Sequence, residues 1–110
     1  MDIVYHKAND RFSPIHIRDP LLMIFYAEWC AISRTLIEQL LNNTVIFPDL
    51  LVLAISIDEY PELAAFNDVR CVPHFVYHHN KGVITTTDIQ IVDDLIKWID
   101  GIGKLVNKEQ

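Results

Sequence analysis

Cys30 is the residue of this chain best placed to do chemistry. It closes the run Leu21-Leu22-Met23-Ile24-Phe25-Tyr26-Ala27-Glu28-Trp29-Cys30 and is followed by Ala31-Ile32-Ser33 and then by helix-like sequence. An apolar strand that turns straight into a helix places the thiol at a helix N-terminus. Unsatisfied backbone N–H groups and the positive end of the helix dipole both favour a charged sulfur there. The thiolate is the reactive form of cysteine, and it attacks disulfides to give a mixed disulfide. Ser33, one turn on, is placed to donate a hydroxyl hydrogen bond to that sulfur. A dithiol site needs a second cysteine at position 33, and serine stands there instead. Release of the bound partner then falls to an outside thiol such as glutathione, or to a cysteine of the substrate itself. The competing reading of Cys30 is an inert buried thiol.

The other groups with chemical potential lie further along. Cys71 precedes Val72-Pro73, and His74, His78 and His79 follow. His74 and His78 share one face of a strand. Their spacing fits no standard zinc motif, so scattered strand and hairpin histidines are the better account and no metal is expected.

The elements around these residues follow from periodicity. Leu21 to Ala27 is apolar on both faces, as in a central strand covered on both sides. Ile32, Leu36, Ile37, Leu40 and Leu41 recur at helical spacing, ended by Asn42-Asn43. Leu50 to Ile57 reads as a second buried strand, and Asp2 to Tyr5 as a short edge strand. Asp58-Glu59-Tyr60-Pro61 opens a short helix with Pro61 in its first turn and Leu63, Phe66 and Val69 as its buried side. Between Asn9 and Arg18, Pro14 limits any helix to a turn or two. Phe75 to His78 is a third strand, Asn80-Lys81-Gly82 a hairpin signal, and Val83 to Thr87 the antiparallel return. Val92, Leu95, Ile96, Ile99 and Ile102 form an amphipathic last helix, with Gly101 and Gly103 marking its end. The order βαβα then ββα gives parallel strands joined through a helix, followed by a hairpin in the same sheet, with helices on both faces.

The chain has 110 residues, 51% hydrophobic and 22% charged, which fits one domain (1–110) with a real core. Its net charge of −6 argues against nucleic acid, since phosphate binding needs clustered Lys and Arg. No apolar run is long enough to span a bilayer, and Met1 to Lys7 has neither a basic nor an apolar signal region, so no membrane and no secretion are expected. Two cysteines make no disulfide framework, and a reducing, cytoplasmic setting follows.

Taken together these residues resemble the thioredoxin family, from about Leu21 to the last helix. Phe25-Tyr26-Ala27-Glu28-Trp29-Cys30 matches the strand leading into the family's active site, and Ile57-Asp58 the end of its next strand. Val69-Arg70-Cys71-Val72-Pro73 matches the segment with the family's cis-proline, and Lys81-Gly82 matches its hairpin. The resemblance implies an α/β thioredoxin fold: a central mixed β-sheet of four to five strands flanked by helices on both faces. It also implies a substrate groove lined by Trp29, Ala31, Ile32, Val72 and Pro73, with Cys71 close to Cys30 as an auxiliary thiol. His74 would stand where the family has a small threonine, an imidazole able to shift the acidity of Cys30 or alter substrate choice.

The departures fall on the chemistry. The family's Trp-Cys-Gly-Pro-Cys is here Trp29-Cys30-Ala31-Ile32-Ser33. Ile24 stands where the family has a buried Asp, and Ala54 and Ile55 where it has a Lys. The proline that kinks the family's active-site helix is absent near Glu38, and a groove glycine is replaced at Gln90 or Ile91. The expectation is a monothiol protein performing thiol–disulfide exchange or deglutathionylation through Cys30, stabilised by Ser33, on protein disulfides or glutathionylated proteins. Glutathione would be a co-substrate and no resident cofactor is expected. A monomer is expected, with a dimer linked through Cys71 as the other form. The alternative is a redox-inactive binding module with a vestigial site.

Overall fold

The computed structural model describes residues 2–5, 20–43, 47–80 and 82–108. The segment between Asn9 and Arg18, and the Lys81 of the hairpin, lie outside them. The elements in chain order are β1 (Asp2–Tyr5), β2 (Leu21–Tyr26), α1 (Ala31–Leu41), β3 (Leu51–Ser56), α2 (Pro61–Phe66), β4 (His74–His79), β5 (Gly82–Thr86) and α3 (Val92–Lys108). The five strands form one sheet in the order β1-β3-β2-β4-β5. β1 and β2 both run parallel to β3, while β4 is antiparallel to β2 and β5 antiparallel to β4.

β2 sits at the centre, and all six of its residues are buried. Side chains alternate across a strand. Leu22, Ile24 and Tyr26 therefore enter one core with Leu36, Ile37 and Leu40 of α1 and Leu95, Ile99 and Ile102 of α3. Leu21, Met23 and Phe25 enter the other, with Ala64 of α2 and with Leu63 and Val69 packed at its rim. This double cover is why the strand is continuously apolar instead of alternating.

Two expectations change. Phe66 was expected to be buried, yet it is 85% exposed, and Ala64 is the buried residue of α2. At about 100° per residue Phe66 lies roughly 200° round the helix from Ala64, on the opposite face. Asn67 ends this helix by donating its side-chain amide to the Leu63 carbonyl at 2.9 Å. Gly101 and Gly103 do not end the last helix, because α3 passes through both and continues to Lys108. The helix-weakening effect of a glycine is about 1 kcal/mol. Burial of Leu95, Ile99 and Ile102 outweighs it, and an Asp100–Lys104 ion pair at 3.0 Å bridges the glycine-bearing turn.

Candidate functional site

Cys30 occupies the N-cap of α1 in extended backbone conformation and is half-buried. The turn that delivers it is closed by its own N–H donating to the Ala27 carbonyl at 3.1 Å. The helix begins with the Arg34 N–H donating to the Cys30 carbonyl at 3.2 Å. Its side chain makes no capping hydrogen bond.

Ser33 is fully buried. Its hydroxyl reaches the Cys30 carbonyl at 3.0 Å and the Ala27 carbonyl at 3.3 Å, and it accepts from the Ala27 N–H at 3.4 Å. It thus staples the strand–helix turn as well as facing the sulfur. The Cys30 thiol is more acidic than an ordinary thiol. The Ser33 backbone N–H is the largest cause, followed by the Ser33 hydroxyl; burial opposes, and the Ile32 N–H and the Arg34 charge add to the lowering. The single hydroxyl proton has the two carbonyls and the thiolate as acceptors, and ionisation of the sulfur draws it there.

Replacing Ser33 by alanine should therefore raise the apparent pKa of Cys30 without returning it to that of a free thiol, because the backbone N–H remains. The rate of iodoacetamide alkylation measured against pH reports this directly. The same substitution strips the Ala27 N–H of its partner and should destabilise the fold by about 1–3 kcal/mol.

Where the family has its buried acid this chain is apolar. Ile24 is fully buried and pairs in register with Ala54 on β3. Tyr26 is the nearby buried hydroxyl, and its phenol is pushed up to about 12, first by burial and then by Glu28, Tyr5 and Glu59. It is no proton acceptor at neutral pH.

The groove residues take up unequal positions. Trp29 is 70% exposed, so it is not a packing residue, and its indole N–H donates to the Asp58 carboxylate at 3.4 Å. Ala31 and Ile32 are exposed, and Val72 is half-buried. The Val72–Pro73 peptide is cis. Pro73 itself is buried and Cys71, two residues before it, is exposed. His74 pairs antiparallel with Phe25, which puts the C-terminal end of β2, from which the chain runs on to Cys30, beside the start of β4. Cys71 is exposed, and both cysteines are free thiols. His74 is buried against the Phe25 ring at a centroid distance of 5.9 Å, and it is not among the groups that shift Cys30. Among the described residues no three His, Cys, Asp or Glu side chains converge as a metal site.

Asp58, which accepts from Trp29, and Arg34, whose charge favours the Cys30 thiolate, are neighbours of the candidate site that sequence reasoning missed. The signal for Asp58 lay in pairing: the Ile57 N–H donates to the Tyr26 carbonyl at 2.9 Å, which sets the turns after β2 and β3 side by side.

A thiol at the start of the helix that follows a central strand, with a cis-proline just before the adjoining strand of a mixed sheet, is the arrangement of the thiol–disulfide exchange folds. Residues 4–101 match the family described as Thioredoxin, and the chain belongs to the thioredoxin family. It is 30% identical over 64 residues to thioredoxin H5 of rice (Oryza sativa subsp. japonica), covering 58% of this chain and 47% of that protein, so the chain spans about half the length of that relative. It is 29% identical to a thioredoxin of Rickettsia bellii over 74% of this chain and 79% of that one. Among solved structures, oxidised mitochondrial thioredoxin 3 of Saccharomyces cerevisiae superimposes with a TM-score of 0.66 at 27% identity, covering 76% of this chain and 78% of that one. No helix among the described residues is long and apolar enough to cross a membrane.

Proposed function

We propose that this protein is a monothiol exchanger working through Cys30. The observation that carries the reading is a thiol made acidic by Ser33, with the Ser33 hydroxyl standing where the family's second thiol would be. The Cys30 thiolate attacks one sulfur of a protein disulfide or glutathionylated cysteine, forming a new S–S bond as the old one breaks. The leaving thiolate takes a proton from solvent. Ser33 has no sulfur with which to attack the mixed disulfide, so a second thiolate, from glutathione or from the substrate, attacks the partner sulfur bonded to Cys30, forming a new S–S bond there and expelling Cys30 as its thiolate. Trp29, Ala31, Ile32, Val72 and Pro73 form the groove that meets the substrate. The chemistry suits a reducing compartment such as the cytoplasm, with glutathione as co-substrate and no resident cofactor. The protein works as a monomer with the exposed Cys71 as an auxiliary thiol, the other form being a dimer linked through Cys71.

The test is reaction with oxidised glutathione over a range of pH, followed by intact mass beside Cys30→Ser and Cys71→Ser. A single adduct on Cys30 with an apparent pKa below the free-cysteine value of about 8.5 is the expected result. Conversion of that adduct into a Cys30–Cys71 disulfide would make the protein a two-thiol enzyme. No adduct at Cys30 would overturn the reading in favour of the binding module, which the apolar pair Ile24–Ala54 at the family's charged positions favours.

A further inference from the structure

His74 is a buried titratable group that the exchange chemistry does not use. It is only 7% exposed, and neither ring nitrogen has a hydrogen-bond partner among the described residues. Buried polar atoms are nearly always paired, so an imidazole left with none calls for an explanation. The ring stands edge-on to Phe25 at 5.9 Å and 78°, on the face of β4 that Val76 shares. It directly follows Pro73 and so anchors the segment Cys71-Val72-Pro73 where that segment enters the sheet.

The groups packed on this face offer a charged imidazole almost nothing. β2 presents Phe25 and Met23, α2 presents Ala64 and Leu63, and Tyr60 at the N-cap of α2 packs against the same cluster, bringing a phenol and no carboxylate. β5 has no titratable group between Gly82 and Thr86. On β4 itself the titratable neighbour on the same face is His78, which would add like charge. The one carboxylate that favours protonation is Asp68, and it is already held by Arg70 at 3.2 Å on the exposed surface. Burial outweighs Asp68 and keeps the imidazole less basic than usual. The neutral ring fits this site as an aromatic body, whereas the cation has no acceptor inside and must move towards water.

We propose that His74 is a proton-operated latch: neutral, it holds the Cys71-Val72-Pro73 rim against the sheet, and protonation releases that rim. Acidification then loosens one wall of the site while leaving the α1 turn that carries Cys30 in place. The sign follows from the direction of the shift. The unfolded chain binds the proton more readily, so the contribution of His74 is fully present above the ordinary imidazole value of about 6.5. It is lost as pH falls, with the folding constant dropping by up to about tenfold per pH unit until the folded value is reached.

The consequence for exchange rests on the reading of this rim as part of the Cys30 site, but the readouts chosen are structural and stand whether or not Cys30 is active. The ¹⁵N-labelled full chain is titrated by NMR from pH 7.5 to 5.0, following the His74 ring and the Cys71 and Val72 amides. Chemical denaturation over the same range compares the wild type with His74→Phe and with His79→Gln as control. The expected result is a His74 midpoint below 6.5, shared by both amides, with the pH slope of stability lost in His74→Phe and kept in His79→Gln. A ring that titrates at or above 6.5, amides that stay still while it titrates, or an unchanged slope in His74→Phe would each overturn the latch. Should His74→Phe not fold, the wild-type titration decides alone.

Discussion

Replacing Cys30 by serine should lower disulfide exchange and deglutathionylation by more than about a thousandfold, to background, while the protein stays folded. The two halves of this expectation have separate causes. Chemically, Cys30 is the half-buried thiol made acidic by Ser33, and a serine hydroxyl does not form mixed disulfides under these conditions. Structurally, position 30 is a helix N-cap whose present side chain makes no capping bond. Serine is among the preferred N-cap residues, typically improving a helix by about 1 kcal/mol over a non-capping side chain. The Cys30→Ser protein should therefore melt no lower than the wild type. Lost exchange with unchanged melting assigns the loss to the sulfur. The same variant measures the binding-module alternative, because partner capture that survives in Cys30→Ser does not depend on the thiol. Cys71→Ser is the companion: retained exchange there keeps the chemistry monothiol, and an equal loss makes Cys71 a working partner.

Ile24→Asp, which restores the acid found at this position in the family, should destabilise the fold by about 4 kcal/mol at neutral pH. Ile24 is fully buried among Leu36, Ile37 and Phe75, and its in-register neighbour on β3 is Ala54. The substitution removes a large apolar side chain from a closed core and leaves a carboxyl with no cation in register beside it. Burial raises the carboxyl pKa, by up to about 3–5 units at a fully buried site, so the new acid is neutral in the fold near pH 7. Because its folded pKa lies above its unfolded value, stability is lost as pH rises through the folded value. Urea denaturation at pH 6 and pH 9 should show the penalty growing with pH, and a constant penalty would mean that the carboxyl has found water or a partner. The wild-type site is thus adapted to an apolar floor, and the family's acid cannot be returned to it singly without cost.

The central strands, the first helix and the thiol at its start were all legible in the sequence because burial on two faces writes an unbroken apolar run. Leu21 to Tyr26 could be little else once flanked by a Trp-Cys turn and a helical repeat. The cis-proline segment was legible through resemblance, on Val72-Pro73. Legibility failed where one residue's surroundings depend on long-range geometry. Phe66 looked like core by type, but a helix of six residues has one inward face, and Ala64 took it. Gly101 and Gly103 looked like a stop because local propensity said so, while packing of the residues around them decided otherwise. His74 was expected to shift the acidity of Cys30 or alter substrate choice; its ring stands edge-on to Phe25, and it is not among the groups that shift Cys30. The Trp29–Asp58 contact joins residues 29 positions apart, which no local pattern records.

The sheet order has a further consequence for how this protein behaves at high concentration. β5 is an outer strand bonded within the described sheet only to β4, and its far side offers a row of backbone donors and acceptors. Its residues Gly82-Val83-Ile84-Thr85-Thr86 carry no charge and no proline, and Val83 is exposed. Short β-branched, uncharged edges are the segments through which chains template one another into aggregates. In sequence, Lys81 and Asp88 flank this stretch as charged gatekeepers, and the net charge of −6 adds mutual repulsion between copies. Colloidal stability should therefore be lowest near the isoelectric point of about 5.1, where that repulsion vanishes and the uncharged rim is left to govern how the molecules meet.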